Sequence, residues 1–364
     1  MEKMSGYAFV AAMIGTALAT LFYLFYAVSG LRAARMQTAG LSTTTGALGF
    51  ISGPRTAAIG RYATMLGWLA TVALLAGLIF RAIATGHGPF ANMYEFSLAF
   101  AFGVMATYMW FERKYHQRIL ALIALPVALA MMAYASTIPP TIEPLVPALQ
   151  NNLLLTVHVA VAIGAYGSFA IAFAASMLYL LQTNDAPIVV AGLVLGVLGA
   201  GLGAFLGGAN LVTGGLVGGL LGGATIGLSV ALVPGVLWGL IFRGSGDATD
   251  GRARWGLPKP EVLDEIGYRA VVVGYPFLTL TIILGAVWAN TAWGTYWSWD
   301  PKETASLLTW LVYGAYLHAR VVRGWRGQRA AWLLILGFEA TLFTYFGNLF
   351  FAGLHSYSGL SNNQ

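Results

Sequence analysis

Long apolar runs are the feature that most limits how this chain can fold. Eight of them are close to the roughly 20 residues that a transmembrane helix needs, and only 9% of the 364 residues are charged. Backbone groups in lipid are satisfied only in helices or closed barrels, and barrel strands are alternating segments of about ten residues. The sequence therefore predicts an all-α fold, a polytopic bundle of transmembrane helices. The runs are residues 8–31, 62–83, 93–111, 119–136, 153–182, 269–289, 304–320 and 331–351.

The positions of the basic residues predict which loops share a side of the membrane. If the N-terminus lies outside, sixteen of the 19 Lys and Arg fall on one side, and the positive-inside rule makes that side cytoplasmic. This distribution favours an even number of crossings, most simply two, in the apolar segment 188–242, which contains 16 glycines. Many of them have the Gly-x-x-x-Gly spacing of close-packed membrane helices. We therefore predict a two-helix hairpin with a turn near Asn210, about ten spans in all, and both termini outside.

Composition also excludes several classes of function. The net charge of +6 is spread along the chain rather than gathered in a patch, which argues against nucleic acid as a partner and leaves membrane lipid. The absence of cysteine excludes disulfides, thiolate metal sites and thiol catalysis. The glycine-rich segment lacks the Lys-Ser/Thr ending of a phosphate-binding loop, so helix packing is the better explanation of its glycines.

The predicted outer loop 289–303 concentrates aromatic residues just before a span. Trp293, Tyr296, Trp297 and Trp299 put four rings within seven residues. Belts of Trp and Tyr at the membrane interface are common, and this explanation would suffice for one or two rings. A rigid aromatic platform for a large, planar, apolar ligand accounts better for the concentration.

The platform is followed by residues that cap a helix. Asp300 suits the N-cap, Pro301 the first helical position and Glu303 the third, which together make a capping box. We expect this cap to fix the start of the next span, and with it the aromatic loop.

Histidines indicate which planar ligand would fit. His158 and His355 lie close to the predicted outer ends of their spans, whereas His87 and His116 lie in loops. A pair of imidazoles without cysteine suits axial ligation of haem iron better than a structural zinc site, which wants four ligands. His318 follows Glu303 by fifteen residues on one span, roughly 22 Å deeper by helix rise. It is either bonded to a neighbouring helix or part of a separate inner site.

These residues resemble a known family. The pattern is similar to the tryptophan-rich WWD signature of haem-handling proteins in cytochrome c biogenesis, and within that group to the CcsA (ResC) family of system II. The resemblance covers 261–358 most strongly and 86–182 less so. Its motifs are Trp288-Ala289-Asn290, Trp293-Gly294, the run from Tyr296 to Glu303, Tyr316-Leu317-His318-Ala319-Arg320, Asn92-Met93-Tyr94-Glu95 and Gly353-Leu354-His355.

The resemblance implies a site for non-covalently held haem b. His158 and His355 would be the axial ligands, and the WWD loop would hold the ring. His318 would help carry haem from the inner side, with its second ligand supplied by another subunit, CcsB (ResB). The residues assigned to haem are then His158, His355, His318, Trp293, Tyr296, Trp297, Trp299, Asp300 and Glu303.

The resemblance further implies a membrane subunit of a cytochrome c synthetase, or haem lyase. It would receive haem from the cytoplasmic side and present it outside for attachment to the Cys-x-x-Cys-His motif of apocytochrome c. A CcsB-like subunit and a thiol-reducing, thioredoxin-like protein would be its other partners. The location would be a bacterial cytoplasmic membrane, or a thylakoid membrane in a plastid. The chain then divides into a five-span region, 1–182, a glycine-rich hairpin with its linker, 183–260, and a haem-handling region, 261–364.

Two other classes of function use some of the same features. A b-type di-haem electron-transfer subunit also has intramembrane histidines, but it should show paired ligands at both depths. A solute permease uses broken helices at mid-membrane, and it leaves the aromatic loop unexplained.

Overall fold

The computed structural model of the chain describes residues 1–38, 54–142, 152–183, 258–346 and 353–355. Regular structure in these ranges is entirely helical, which confirms the predicted all-α class there. The predicted hairpin 188–242 with its turn at Asn210 lies outside the described residues. The helices are α1 (Glu2–Thr38), α2 (Pro54–Thr85), α3 (Met93–Tyr115), a 3-10 turn (Arg118–Leu120), α4 (Ala121–Ala135), α5 (Asn152–Thr183), α6 (Pro260–Trp293), α7 (Pro301–Val322) and α8 (Gln328–Phe346).

Each apolar run coincides with a helix over the residues described, but the helices differ in how well they suit lipid. Five segments are long and apolar enough to cross a membrane: Glu2–Gly30, Pro54–Thr85, Arg118–Ala135, Leu153–Thr183 and Pro260–Trp293. The remaining helices, α3, α7 and α8, are long enough at 19 to 23 residues, but their sequences are less apolar than those of the five segments. The chain is a helical membrane protein, and ten spans remains a prediction.

Helix α5 lies at the centre of the bundle. It packs along α6 and also contacts α3 and α8, while α1 packs along α2. The Phe169 ring stacks on Tyr313 of α7 at 3.7 Å between centroids, and Phe173 stacks on Phe338 of α8 at 4.5 Å. Where α5 crosses α3, a Cβ on Gly167 would lie 2.3 Å from the Gly103 carbonyl oxygen, so only glycine permits this approach.

The most deeply buried charged side chains of the described residues are paired, because an unpaired charge there is costly. At the end where α2 stops and α3 starts, Arg81 Nε donates to Glu95 Oε1 at 2.8 Å. At the opposite end, Glu112 accepts hydrogen bonds from Tyr23, Tyr108 and Thr64. These clusters join helices that are separated in sequence and so fix both ends of the bundle.

Candidate functional site

A cleft opens at one end of the bundle. The first turns of α3, α5 and α7 and the last turns of α6 and α8 meet there, as expected of helices that alternate in direction. Its volume is about 710 Å³ when counted out to its open mouth. Three parts of the family-like pattern contribute to its lining: Trp288, the run from Tyr296 to Glu303, and His355. The lining residues include Phe96, Leu155, His158, Val159, Tyr166, Thr281, Gly285, Trp288, Tyr296, Trp297, Lys302, Glu303, Ser306, Thr344 and His355.

His158 enters the cleft from the second turn of α5. Its Nδ1 lies 2.9 Å from the Thr281 carbonyl oxygen on α6. A carbonyl only accepts hydrogen bonds, so Nδ1 carries the proton and Nε2 keeps its lone pair. Gly285, one turn along α6, leaves room for the ring, because a Cβ there would lie 2.8 Å from His158 Cε1. Two features of α6 thus set both the tautomer and the position of this imidazole.

His355 reaches the same cleft from beyond α8. Its Nδ1 lies 2.8 Å from Asp300 Oδ1, and the Leu354 backbone N–H donates to Asp300 Oδ2 at 2.5 Å. The Asp300 side chain is 1% exposed and that of His355 is 15% exposed. A buried carboxylate that accepts from Nδ1 orients an imidazole. Nε2 is therefore the nitrogen through which His355 could bind a metal.

Asp300 also performs the predicted capping role. It accepts from the Lys302 backbone N–H at 3.0 Å, and the Glu303 carboxylate accepts from the Asp300 backbone N–H, which confirms the capping box. Burial alone would raise the pKa of Asp300. The hydrogen bond and charge of His355, with the N–H groups of Lys302 and Leu354, outweigh burial and lower that pKa to about 2. Asp300 is consequently an anion at neutral pH.

The four aromatic residues of the predicted platform occupy different positions. Tyr296 and Trp297 line the cleft, whereas Trp299 is 70% exposed, has a φ of 59° and meets Trp297 edge-on at an interplanar angle of 89°. Trp293 packs against the His355 ring with centroids 5.2 Å apart. The rings therefore do not form one flat shelf.

Trp288 completes the aromatic surroundings of His355. It is buried in the last turns of α6, lines the cleft and lies 5.8 Å from the His355 ring centroid. Trp288 and Trp293 also meet edge-on, with centroids 4.8 Å apart. Both tryptophans thus pack against the His355 ring.

His318 does not join this group. It lies on the exposed side of α7, away from the cleft-lining residues. Two residues further on, Arg320 is buried and paired with Asp264 at 2.6 Å, at the opposite end of the bundle. The structure thus separates His318 from His158 and His355, in the manner that helix rise predicts.

Sequence reasoning missed several residues of the site. Thr281 and Gly285 act through backbone and through lack of a side chain, so no residue type identifies them in the sequence. Lys302 stands within the run from Tyr296 to Glu303, but the sequence pattern assigned it no role. The contact of Asp300 with His355 joins residues 55 positions apart, which a local capping pattern does not reveal.

Comparisons with known proteins agree with these features. The family described as cytochrome C assembly protein matches residues 90–355. The chain is 38% identical over 311 residues to the cytochrome c biogenesis protein CcsA of Gloeobacter violaceus, covering 84% of this chain and 88% of that one. It is 34% identical over 313 residues to CcsA of Pyropia yezoensis, covering 85% and 90% respectively. The chain therefore belongs to the cytochrome c assembly protein family, within which it is a relative of the CcsA proteins.

Proposed function

We propose that this chain holds haem b in the cleft and presents it for covalent attachment to apocytochrome c. The observation that carries the proposal is that His158 and His355 line the same cleft, each with Nδ1 held by a hydrogen-bond acceptor. Two imidazoles that offer Nε2 are suited to the two axial positions of haem iron. The family match supports a role in cytochrome c maturation rather than electron transfer or solute transport.

The chemistry needs positioning more than acid or base catalysis. Each thiol of a Cys-x-x-Cys-His motif adds across a haem vinyl group: sulfur bonds to one vinyl carbon and the proton goes to the other, without net oxidation. Holding haem and peptide together makes this bimolecular reaction effectively intramolecular. In the proposal, His158 and His355 hold the iron and Trp288, Tyr296 and Trp297 contact the ring. The apocytochrome's own histidine then replaces one ligand and releases haem.

We infer the direction of transport and the partners from the predicted topology. With ten spans and both termini outside, the cleft faces the outside of a bacterial cytoplasmic membrane, or the lumen side of a thylakoid membrane. Haem arrives from the cytoplasmic side, where His318 contributes one ligand and a CcsB (ResB)-like subunit the other. A thioredoxin-like protein keeps the apocytochrome thiols reduced. The assembly as a whole acts as the haem lyase.

Ligand substitution tests the outer site. His158→Ala and His355→Ala should each abolish cytochrome c maturation, and added imidazole should restore part of it by filling the vacant axial position. His116→Asn is the control, because Asn tolerates the left-handed conformation of this helix cap. Normal maturation by both alanine variants would refute the ligand assignment.

Cysteine labelling tests the topology. The chain contains no cysteine, so Thr295→Cys introduces a single thiol in the loop beside the cleft. It should react in intact cells with a thiol reagent that cannot cross the membrane. Reaction only after permeabilisation would place the cleft on the cytoplasmic side and overturn the proposed direction.

A further inference from the structure

We propose that Lys302 binds a propionate of the haem and thereby fixes which edge of the porphyrin faces into the cleft. This inference rests on the proposed haem-binding function and adds an orienting residue to it.

Basic residues are scarce at the cleft end of the bundle. Only Lys3, Arg81 and Lys302 lie outside the predicted cytoplasmic group. Arg81 is buried, pairs with Glu95 and also donates to two backbone carbonyls. Lys3 is exposed in the first turn of α1. Among these three, Lys302 is the one that lines the cleft.

The neighbouring carboxylates are already bonded to other groups. Asp300 accepts from the His355 ring and from the Leu354 backbone N–H. Glu303 accepts from the backbone N–H and hydroxyl of Ser298 and from the Asp300 N–H. Within the described ranges, no carboxylate lies within 4.0 Å of the Lys302 ammonium. The ammonium lies over the Phe96 ring, with Nζ 5.3 Å from the centroid.

A partly buried ammonium held over an aromatic ring is only partly compensated, because a cation–π contact is weaker than a charged hydrogen bond. The Asp300 carboxylate acts on this ammonium only from a distance, so an anionic ligand group in the cleft would supply the direct charged hydrogen bond that it lacks. Haem carries two propionates on one edge, and its two reactive vinyl groups lie away from that edge. A propionate at Lys302 would therefore turn the vinyl groups away from the start of α7.

The position of Lys302 in the predicted topology also supports a binding role. A basic residue in a predicted outer segment opposes the usual charge distribution. Capping α7 does not require it, since Asp300, Pro301 and Glu303 complete the capping box through other groups. Binding of an anion accounts for a positive charge at this position, whereas capping of α7 does not.

The test compares haemin with haemin dimethyl ester, whose propionates carry no charge. Both would be titrated by absorption spectroscopy into the purified full chain, into Lys302→Met, into Lys302→Arg and into a control, Lys114→Met, at the opposite end. The parent should prefer haemin over the ester by about tenfold or more, the contribution expected of one charged hydrogen bond. Lys302→Met should lose that preference while binding the ester as tightly as the parent does. Lys302→Arg should retain it.

Each outcome distinguishes the two proposals. Retention of the preference in Lys302→Met would overturn the assignment of Lys302. So would an equal loss of affinity for both ligands, which would make the residue a support of the fold. If haemin binding by the parent does not depend on His158 or His355, the proposed haem-binding function is wrong. The inference about Lys302, which rests on that function, is then wrong as well.

Discussion

The two ends of the bundle hold their histidines in different ways. At the cleft end, His158 and His355 are partly buried, and each donates Nδ1–H to a fixed acceptor on another segment. Near the opposite end, His318 is exposed on α7, and the charged side chain nearest to it in sequence, Arg320, is already paired with Asp264.

This difference concerns how well each histidine is oriented to bind a metal. An acceptor that takes Nδ1–H fixes the ring and leaves the lone pair on Nε2. The cleft end supplies two such acceptors, a helix carbonyl and a buried carboxylate, from within the described residues. Within the described residues His318 has no hydrogen-bond partner. A haem site at its end of the bundle would therefore need a second ligand from outside those residues. We therefore expect the cleft site to be self-sufficient and the inner site to depend on a partner.

The largest effect is expected from removing the charge that orients His355. Asp300→Asn keeps a good N-cap residue, so α7 should still begin at the same place. The neutral amide would hold the imidazole less firmly, and haem affinity should fall by about 10- to 100-fold, as measured by spectroscopic titration. Glu261→Gln changes an exposed residue in the first turn of α6, at the other end of the bundle, and should change affinity little. Equal affinities of Asp300→Asn and the parent would contradict this role.

The same carboxylate predicts how stability depends on pH. The pKa of Asp300 is lowered from 3.8 to about 2 in the folded state. A lowered pKa means that the ionised form stabilises the fold above pH 3.8, and that this contribution is lost as the pH falls towards 2. The difference in unfolding free energy between the parent and Asp300→Asn should be constant above about pH 4 and shrink below it. A difference that is unchanged down to pH 2 would contradict the pairing.

A smaller effect is expected from crowding His158. Gly285→Ala would place a Cβ 2.8 Å from Cε1 and 3.3 Å from Nδ1 of this ring, so the imidazole must move. Overpacking of this kind costs about 1–3 kcal/mol, and haem affinity should fall by about tenfold. Gly164→Ala, on the same helix as His158, meets Phe277 at an ordinary 3.6 Å and is the matched control. Similar affinities of the two variants would show that this approach does not set the ligand.

The smallest local effect is expected at the other end. Because His318 is exposed, His318→Ala should change stability by less than about 0.5 kcal/mol and leave the spectrum of cleft-bound haem unaltered. Co-expression with a CcsB-like partner should raise haem content in the parent but not in the variant. Equal haem loading of both with the partner present would remove the inner site from the mechanism.

Much of the fold follows from the sequence because lipid leaves few choices. The apolar runs predicted helices at each position described, and the capping box at Asp300 and Glu303 was predicted because its contacts lie within four residues. The number of membrane spans is harder to obtain, since α3, α7 and α8 mix apolar and polar residues. Whether these helices can cross a membrane depends on whether neighbouring helices cover their polar faces.

The site was predicted only as far as residue chemistry is visible in the sequence. His158 and His355 stood out because histidine is costly near lipid. Thr281 and Gly285 did not, because their effect depends on α6 packing against α5. The orientation of Trp299 also depends on a left-handed backbone conformation inside the loop, which the aromatic pattern does not indicate.

The proposed haem site requires that His158 and His355 bind one iron together. Electron paramagnetic resonance of ferric haem bound to the purified full chain tests it most directly. The parent should give a low-spin signal typical of two imidazole ligands, and both His158→Ala and His355→Ala should convert it to a high-spin signal. A high-spin signal in the parent, or an unchanged low-spin signal in either variant, would contradict the shared ligation.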